Sequence, residues 1–337
     1  MKKKLNLELW KELYELTQEI KQLEPWNYLW DLDLLAIELS NEEPVYVSVL
    51  GKAGMNYGLS LYFGEEALQG LIDLSYSQVT KVPSEYLFFN QTCITNYFGN
   101  REEVSQKQYD IIKSLGLKFR GKNQWPYYLS LEPGYIPDLI TDEDVKRLIP
   151  IYKQLIPLIK AYIAGEVKAD FENGQYIKRS YQSKTNQWVN QEAKLTSKGR
   201  RYSVIPFNEK DELIQEIRKH DRVNLELELD LHYLQIPIND PQFKKPVNPK
   251  MLVLIDHQNG YVLLQDMINP LESVEVKIMD LLINLIANYG IPKVIYYRLP
   301  ELCLISDLCK KIGIILIQSK EMPMSDEFIS EFSQQFL

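Results

Sequence analysis

The sequence predicts an α+β N-terminal domain built on an antiparallel meander, followed by an α/β C-terminal domain with a mixed sheet. Three observations carry this. Residues 44–68, PVYVSVLGKAGMNYGLSLYFGEEAL, place two runs of β-branched and aromatic residues around a glycine-rich join and end in an acidic helix start. Residues 251–318 read strand, hairpin return, helix, strand, helix, strand, the word order of a sheet with parallel members. Between them the composition shifts at Ala164-Gly165, which divides the chain into residues 1–165 and 166–337. Two domains also suit the length, at roughly 150 residues per domain.

The elements follow from local chemistry. Residues 5–23 place Leu9, Trp10, Leu13, Tyr14, Leu16, Ile20 and Leu23 at helical spacing, and Glu24-Pro25 stops the helix because proline lacks a backbone donor. Trp26, Tyr28 and Trp30 then cluster, a pattern that large aromatic area assigns to core packing. Strands are expected over 34–39, 45–50 and 57–63, with Gly51, Gly54 and Gly58 supplying positive φ in the hairpin join. A helix over 65–76, a strand over 86–94 and a helix opened by the Asn100-Arg101-Glu102-Glu103 box follow.

Residues 115–137 contain the words LGLKFRG and WPYYLSLEPGYIP. Together with VSVLGKAGMNYGLSLYFG, these resemble an uncharacterised bacterial family of two-domain proteins, with the likeness strongest over residues 26–162. The resemblance implies a two-domain layout and no assigned activity. That family commonly carries a tryptophan where this chain has Asp138. In the same segment Arg120, Trp125 and Tyr135 are candidate binding residues, against a packing role for the aromatics, and a strand is expected over 127–131. Thr141-Asp142-Glu143-Asp144 caps a helix running to Ile163, in which Pro150 and Pro157 predict a kink or a division.

Strands are next expected over 176–181, 188–195 and 202–207. Here Lys178, Arg179, Lys184, Lys194, Lys198, Arg200 and Arg201 face a single acid, Glu192, with Tyr181, Trp188 and Tyr202 interleaved. Cations that pair with phosphate beside rings that stack on bases point to nucleic acid. Lysines that keep an edge hairpin from pairing with other sheets are the competing account. Residues 208–220 read as a short polar helix. Residues 223–231 alternate leucine with Glu226, Glu228 and Asp230, which predicts a strand with one wet, acidic face.

The C-terminal order suggests an RNase H-like sheet in degenerate form, with 251–256 as its first strand. Asp256 is the candidate catalytic carboxylate, joined by Glu275, Asp280 or Asp307 as metal ligands, but a plain turn-capping role for Asp256 is the favoured reading, because Asp readily caps turns through its own side chain. The next parallel strand ends in Arg298 where a cation ligand is wanted, so a non-catalytic version is favoured.

A net charge of -8 and a pI near 5.2 disfavour broad attachment to nucleic acid or anionic lipid. Cys93, Cys303 and Cys309 have neither CxxC spacing nor neighbouring histidines, so reduced thiols are expected. His220, His232 and His257 match no catalytic signature. The expectation is a cytoplasmic, non-enzymatic binding or interaction protein with a protein or nucleic acid partner, no membrane partner, no cofactor and no metal. The alternative is a metal-dependent nuclease-like or nucleic-acid-binding protein.

Overall fold

The computed structural model describes residues 5–39, 42–80, 82–195, 202 and 204–336. Along the chain run α1 (Leu7–Leu23), β1 (Leu35–Glu38), β2 (Val45–Leu50), β3 (Gly58–Phe63), α2 (Gly64–Ser75), α3 (Ser77–Thr80), α4 (Ser84–Phe89), β4 (Cys93–Gly99) and α5 (Gln106–Ser114). Then come β5 (Trp125–Leu131), α6 (Asp142–Ile163), β6 (Gln175–Gln182), β7 (Gln187–Lys194), α7 (Glu212–Ile217), β8 (Glu226–Tyr233), β9 (Lys250–Asp256) and β10 (Val262–Ile268). The chain closes with α8 (Val274–Tyr289), β11 (Val294–Tyr297), α9 (Ser306–Ile312), β12 (Ile315–Gln318) and α10 (Pro323–Phe336).

The chain divides into two compact units. The first comprises Met1–Leu71, Gln91–Glu132 and Pro137–Lys198, and the second Ile72–Asn90, Pro133–Ile136 and Gly199–Leu337. A division at 165/166 is therefore displaced. β6 pairs in parallel with β1, Leu35 facing Ile177, so the basic hairpin β6–β7 is part of the first sheet.

That first sheet has the order β5-β4-β3-β2-β1-β6-β7. Trp10, Leu13, Tyr14 and Ile20 of α1 and Val145, Leu148, Tyr152, Leu155 and Ile159 of α6 share one apolar core with Leu35, Val47, Leu59, Leu61 and Ile177 of the strands. Asp142, the first residue of α6, accepts from the Trp10 indole N–H at 2.8 Å and from the Asn6 backbone at 3.1 Å, which ties the starts of both helices together. The Thr141/Asp144 box forms as expected. The expected division at Pro150 and Pro157 does not occur, and α6 is continuous through both. Each proline leaves a carbonyl one turn earlier without its helical donor. Those carbonyls belong to Lys146 and Lys153, both exposed residues on the outer side of the helix.

Three further local expectations are corrected. The strand expected over 86–94 is a helical turn, α4, followed by β4, because YLFF is a continuous apolar run without alternation and fits either state. Asn100 does form its capping box, but around a short 3-10 turn, and Ser105 caps α5 anew. Gly51 and Gly54 have positive φ, whereas Gly58 does not: there a Cβ would lie 2.3 Å from the Asn96 carbonyl oxygen of β4.

The second unit holds a sheet of order β10-β9-β8-β11-β12, with β8 antiparallel to β9 and parallel to β11. The strand over 251–256 is thus second, and β8 is central. Leu227, Leu229 and Leu231 of β8 pack with Ile278, Leu281, Leu282 and Leu285 of α8 and Leu308 and Ile312 of α9. On the opposite face Met251, Val253 and Ile255 of β9 pack with Met324, Phe328, Ile329 and Phe332 of α10. Residues 204–207 are not a strand; Ile205 donates to the Leu304 carbonyl and Phe207 to Asp307.

Candidate functional site

A buried titratable cluster forms where β8 is covered on both faces. Its apolar residues face α8 and α9, so Glu228, Asp230 and His232 face the α10 side, level with Ile255, Val253 and Met251 of β9. The acidic face is therefore not wet. Glu228 and Asp230 are 0% exposed and His232 is 8% exposed, values at which unpaired charge is untenable.

The partners come from three other elements. Arg298, directly after β11, donates from one guanidinium nitrogen to Asp230 Oδ2 at 2.5 Å and from another to Asp326 Oδ1 at 2.8 Å. Ser325 in the first turn of α10 donates its backbone N–H to Glu228 at 2.8 Å and its hydroxyl to Asp230 at 2.9 Å. His232 Nε2 lies 2.7 Å from Ser325 Oγ and 3.3 Å from Asp230 Oδ2. His257 Nδ1 lies 2.7 Å from Glu228, and its ring lies against Tyr296, centroids 4.7 Å apart. The Arg298 Nε is buried without a partner among the described residues.

This Ser-His-Asp grouping is not a hydrolytic triad. A triad needs one imidazole nitrogen on the serine and the other on the aspartate. Here Nε2 faces both, and Ser325 is fully buried. Burial works against the Asp230 carboxylate, but His232, Arg298 and the Leu231 N–H outweigh it and hold its pKa below the ordinary value of 3.8. Likewise burial works against the Arg298 cation, and Asp230 and Asp326 together raise its pKa above the ordinary value.

A depressed aspartate pKa stabilises the fold above the unfolded-state value and ceases to do so as pH falls through the folded value. Asp230 therefore stabilises the second unit at neutral pH, and that contribution is lost on acidification below 3.8. In urea unfolding at a series of acid pH values, Asp230→Asn is expected to flatten the loss of stability. An unchanged slope would remove Asp230 from the account.

Asp256 sits at the end of β9 in the favoured role, as a turn cap. Its Oδ1 accepts from Gln258 at 2.8 Å and Asn259 at 3.3 Å. Its proposed companions are engaged locally: Glu275 with Ser273 and Asp307 with Lys311, while Asp280 is exposed on α8. Among the described residues, no group of three or more His, Cys, Asp or Glu is arranged to hold a metal ion.

The predicted binding residues are dispersed. Trp125 lies against Tyr109 and Phe119 with the Arg101 guanidinium over its ring, so it packs. Arg120 is exposed in the first unit; Tyr135 is in the second, bridged to Val247 and against Phe243. Lys178 pairs with Glu38 at 2.8 Å, while Arg179, on the other face of β6, donates to Gln154 and Asn190 and lies 5.5 Å over Trp188. Tyr181 and Trp188 are directly cross-strand. Lys198, Arg200 and Arg201 lie outside the described residues. Burial pushes the Cys93 thiol to about 11 and the Cys309 thiol to about 12, so both are poor nucleophiles.

His232 and His257 match no catalytic signature and Ser325 lies in no recognised motif, so no motif marks the cluster. The available signal was ELELDLHY itself, in which a histidine continues the acidic face, and a strand this regular is central as readily as exposed.

Fold and site together define a two-domain α+β protein whose second domain encloses an arginine-neutralised acidic cluster. The chain belongs to the family Domain of unknown function (DUF7309), which it matches over residues 10–179, just over half its 337 residues. Residues 213–333 match a second family, Domain of unknown function (DUF6930). No curated protein and no solved structure matches the chain. No helix among the described residues is long and apolar enough to cross a membrane.

Proposed function

We propose that this is a non-enzymatic binding protein whose second domain is a degenerate, RNase H-like sheet. The strand order supports the fold reading: a central first strand, β8, two antiparallel neighbours in succession on one side, and two parallel strands on the other. One observation supports the absence of chemistry: the Arg298 guanidinium bridges Asp230 and Asp326. In a metal-dependent nuclease, carboxylates brought together by neighbouring strand and helix ends are neutralised by cations that also bind the phosphate. Here the chain supplies a fixed positive charge, and Ser325 takes the remaining acceptor of Glu228.

The test is thermal stability of the full chain against Mg²⁺, Mn²⁺, short single-stranded DNA and short RNA, with cleavage assayed in parallel, since a ligand selective for the folded state raises the melting temperature. The expected result is no shift with either metal beyond that of monovalent salt, and no cleavage. A metal-dependent shift accompanied by cleavage, both lost in Asp256→Asn, overturns the reading in favour of the nuclease.

A second reading concerns the basic hairpin. The Arg179, Trp188 and Tyr181 side chains form a continuous cation-aromatic ladder, with Lys184 at the hairpin turn. Such a ladder stacks on single-stranded bases. Nucleic acid should then raise the melting temperature of the wild type and leave Trp188→Ala unchanged.

A further inference from the structure

The segment EPWNYLWDLD, residues 24–33, divides its two tryptophans. Trp26 is 7% exposed and anchors the core against Tyr57 and Phe98. Trp30 is 53% exposed, beside Tyr28 at 48% and Leu32 at 47%. Core packing therefore accounts for Trp26 and not for its neighbours. Large apolar side chains left in water this close together are characteristic of contact surfaces, where tryptophan and tyrosine contribute most.

The charges that act on Asp33, in the same turn, are negative but for one. Asp31 and Glu172 are exposed, and both act on the half-buried Asp33, whose side chain fixes the turn by accepting the Trp30 N–H at 2.8 Å. Burial, with Asp31 and Glu172 adding to it, pushes the Asp33 pKa up. The exception is Lys52, whose ammonium lies 5.9 Å over the Trp30 ring while donating to the Asn27 carbonyl. A cation already rests on this indole. Aromatic faces bordered by carboxylates attract cations by quadrupole and by charge together.

We propose that Tyr28, Trp30 and Leu32, with Asp31 and Glu172, form the docking surface for a basic, apolar-spaced segment of a partner protein, which competes with Lys52 for the Trp30 face. Charge complementarity selects this partner: an acidic segment or a nucleic acid would meet Asp31, Asp33 and Glu172 unpaired. The inference rests on the reading of the chain as a binding protein, and it uses the first unit, so it stands or falls apart from the metal test above.

The experiment titrates the full chain with a fluorescent peptide of alternating arginine and leucine, using a glutamate-leucine peptide as control. Saturable, salt-sensitive binding of the arginine peptide alone is expected. Trp30→Ala should weaken it about tenfold or more, as loss of a central aromatic does. Asp31→Asn with Glu172→Gln should weaken it and reduce its salt dependence. Lys52→Ala should tighten it several-fold, because removing the resident cation frees the ring and deletes a like charge. Trp30, Asp31 and Glu172 are exposed and Lys52 is half-buried at the surface, so circular dichroism should be unchanged. Absence of binding, equal binding of the glutamate peptide, or binding indifferent to Trp30→Ala each overturn the proposal.

Discussion

Replacing Arg298 by alanine is expected to destabilise the second unit by about 3–5 kcal/mol, the cost of removing one partner of a buried ion pair. The side chain is 5% exposed and its principal partner Asp230 is 0% exposed, so no water reaches the carboxylate to replace the guanidinium. Asp326, at 54%, is wetted and adds little of its own. Arg298→Lys should recover part of the loss: an ammonium is a compact point charge, and it cannot reproduce the planar fork that meets both carboxylates. Urea unfolding followed by a probe in the second unit measures this. A loss under about 1 kcal/mol would mean that Ser325 and His232 suffice to hold Asp230, and that the arginine is incidental.

Gly58→Ala is expected to cost about 3 kcal/mol, at the upper end for an inserted methyl in a packed interior. The added Cβ meets the Asn96 carbonyl oxygen at 2.3 Å, and that atom is backbone within β4, paired on its other side to β5. No side-chain rotation relieves it, so β3 and β4 must separate. Gly54→Ala, by contrast, meets nothing within 4 Å and bears the cost of its positive φ alone, about 1 kcal/mol. Comparing the two by thermal unfolding separates steric approach from backbone conformation. Equal losses would contradict the assignment of Gly58 to close strand contact.

Much of the fold was legible in the residues. Runs of β-branched and aromatic residues located β2 and β3, and the Thr141/Asp144 box located the start of α6. What misled was context. YLFF at 86–89 has no period of its own, and two prolines inside α6 are tolerated because the carbonyls they leave belong to exposed residues. The candidate site was half legible: Glu226, Glu228 and Asp230 were seen to point together, and Arg298 was seen to stand where a ligand was wanted. Asp256 ends a strand, where a turn needs a cap, and the favoured capping role is the one its side chain takes.

The sequence by itself determined the two-domain layout and most strand and helix positions. Those properties depend on periodicity and capping, which act within a few residues. The tertiary structure decided that both faces of β8 are dry, that the β6–β7 hairpin joins the first sheet, and that Trp26 is inward while Trp30 is outward. These depend on strand order and on what covers a face. Asp230, Arg298 and Ser325 meet only once β11 is set beside β8 and α10 is laid across them.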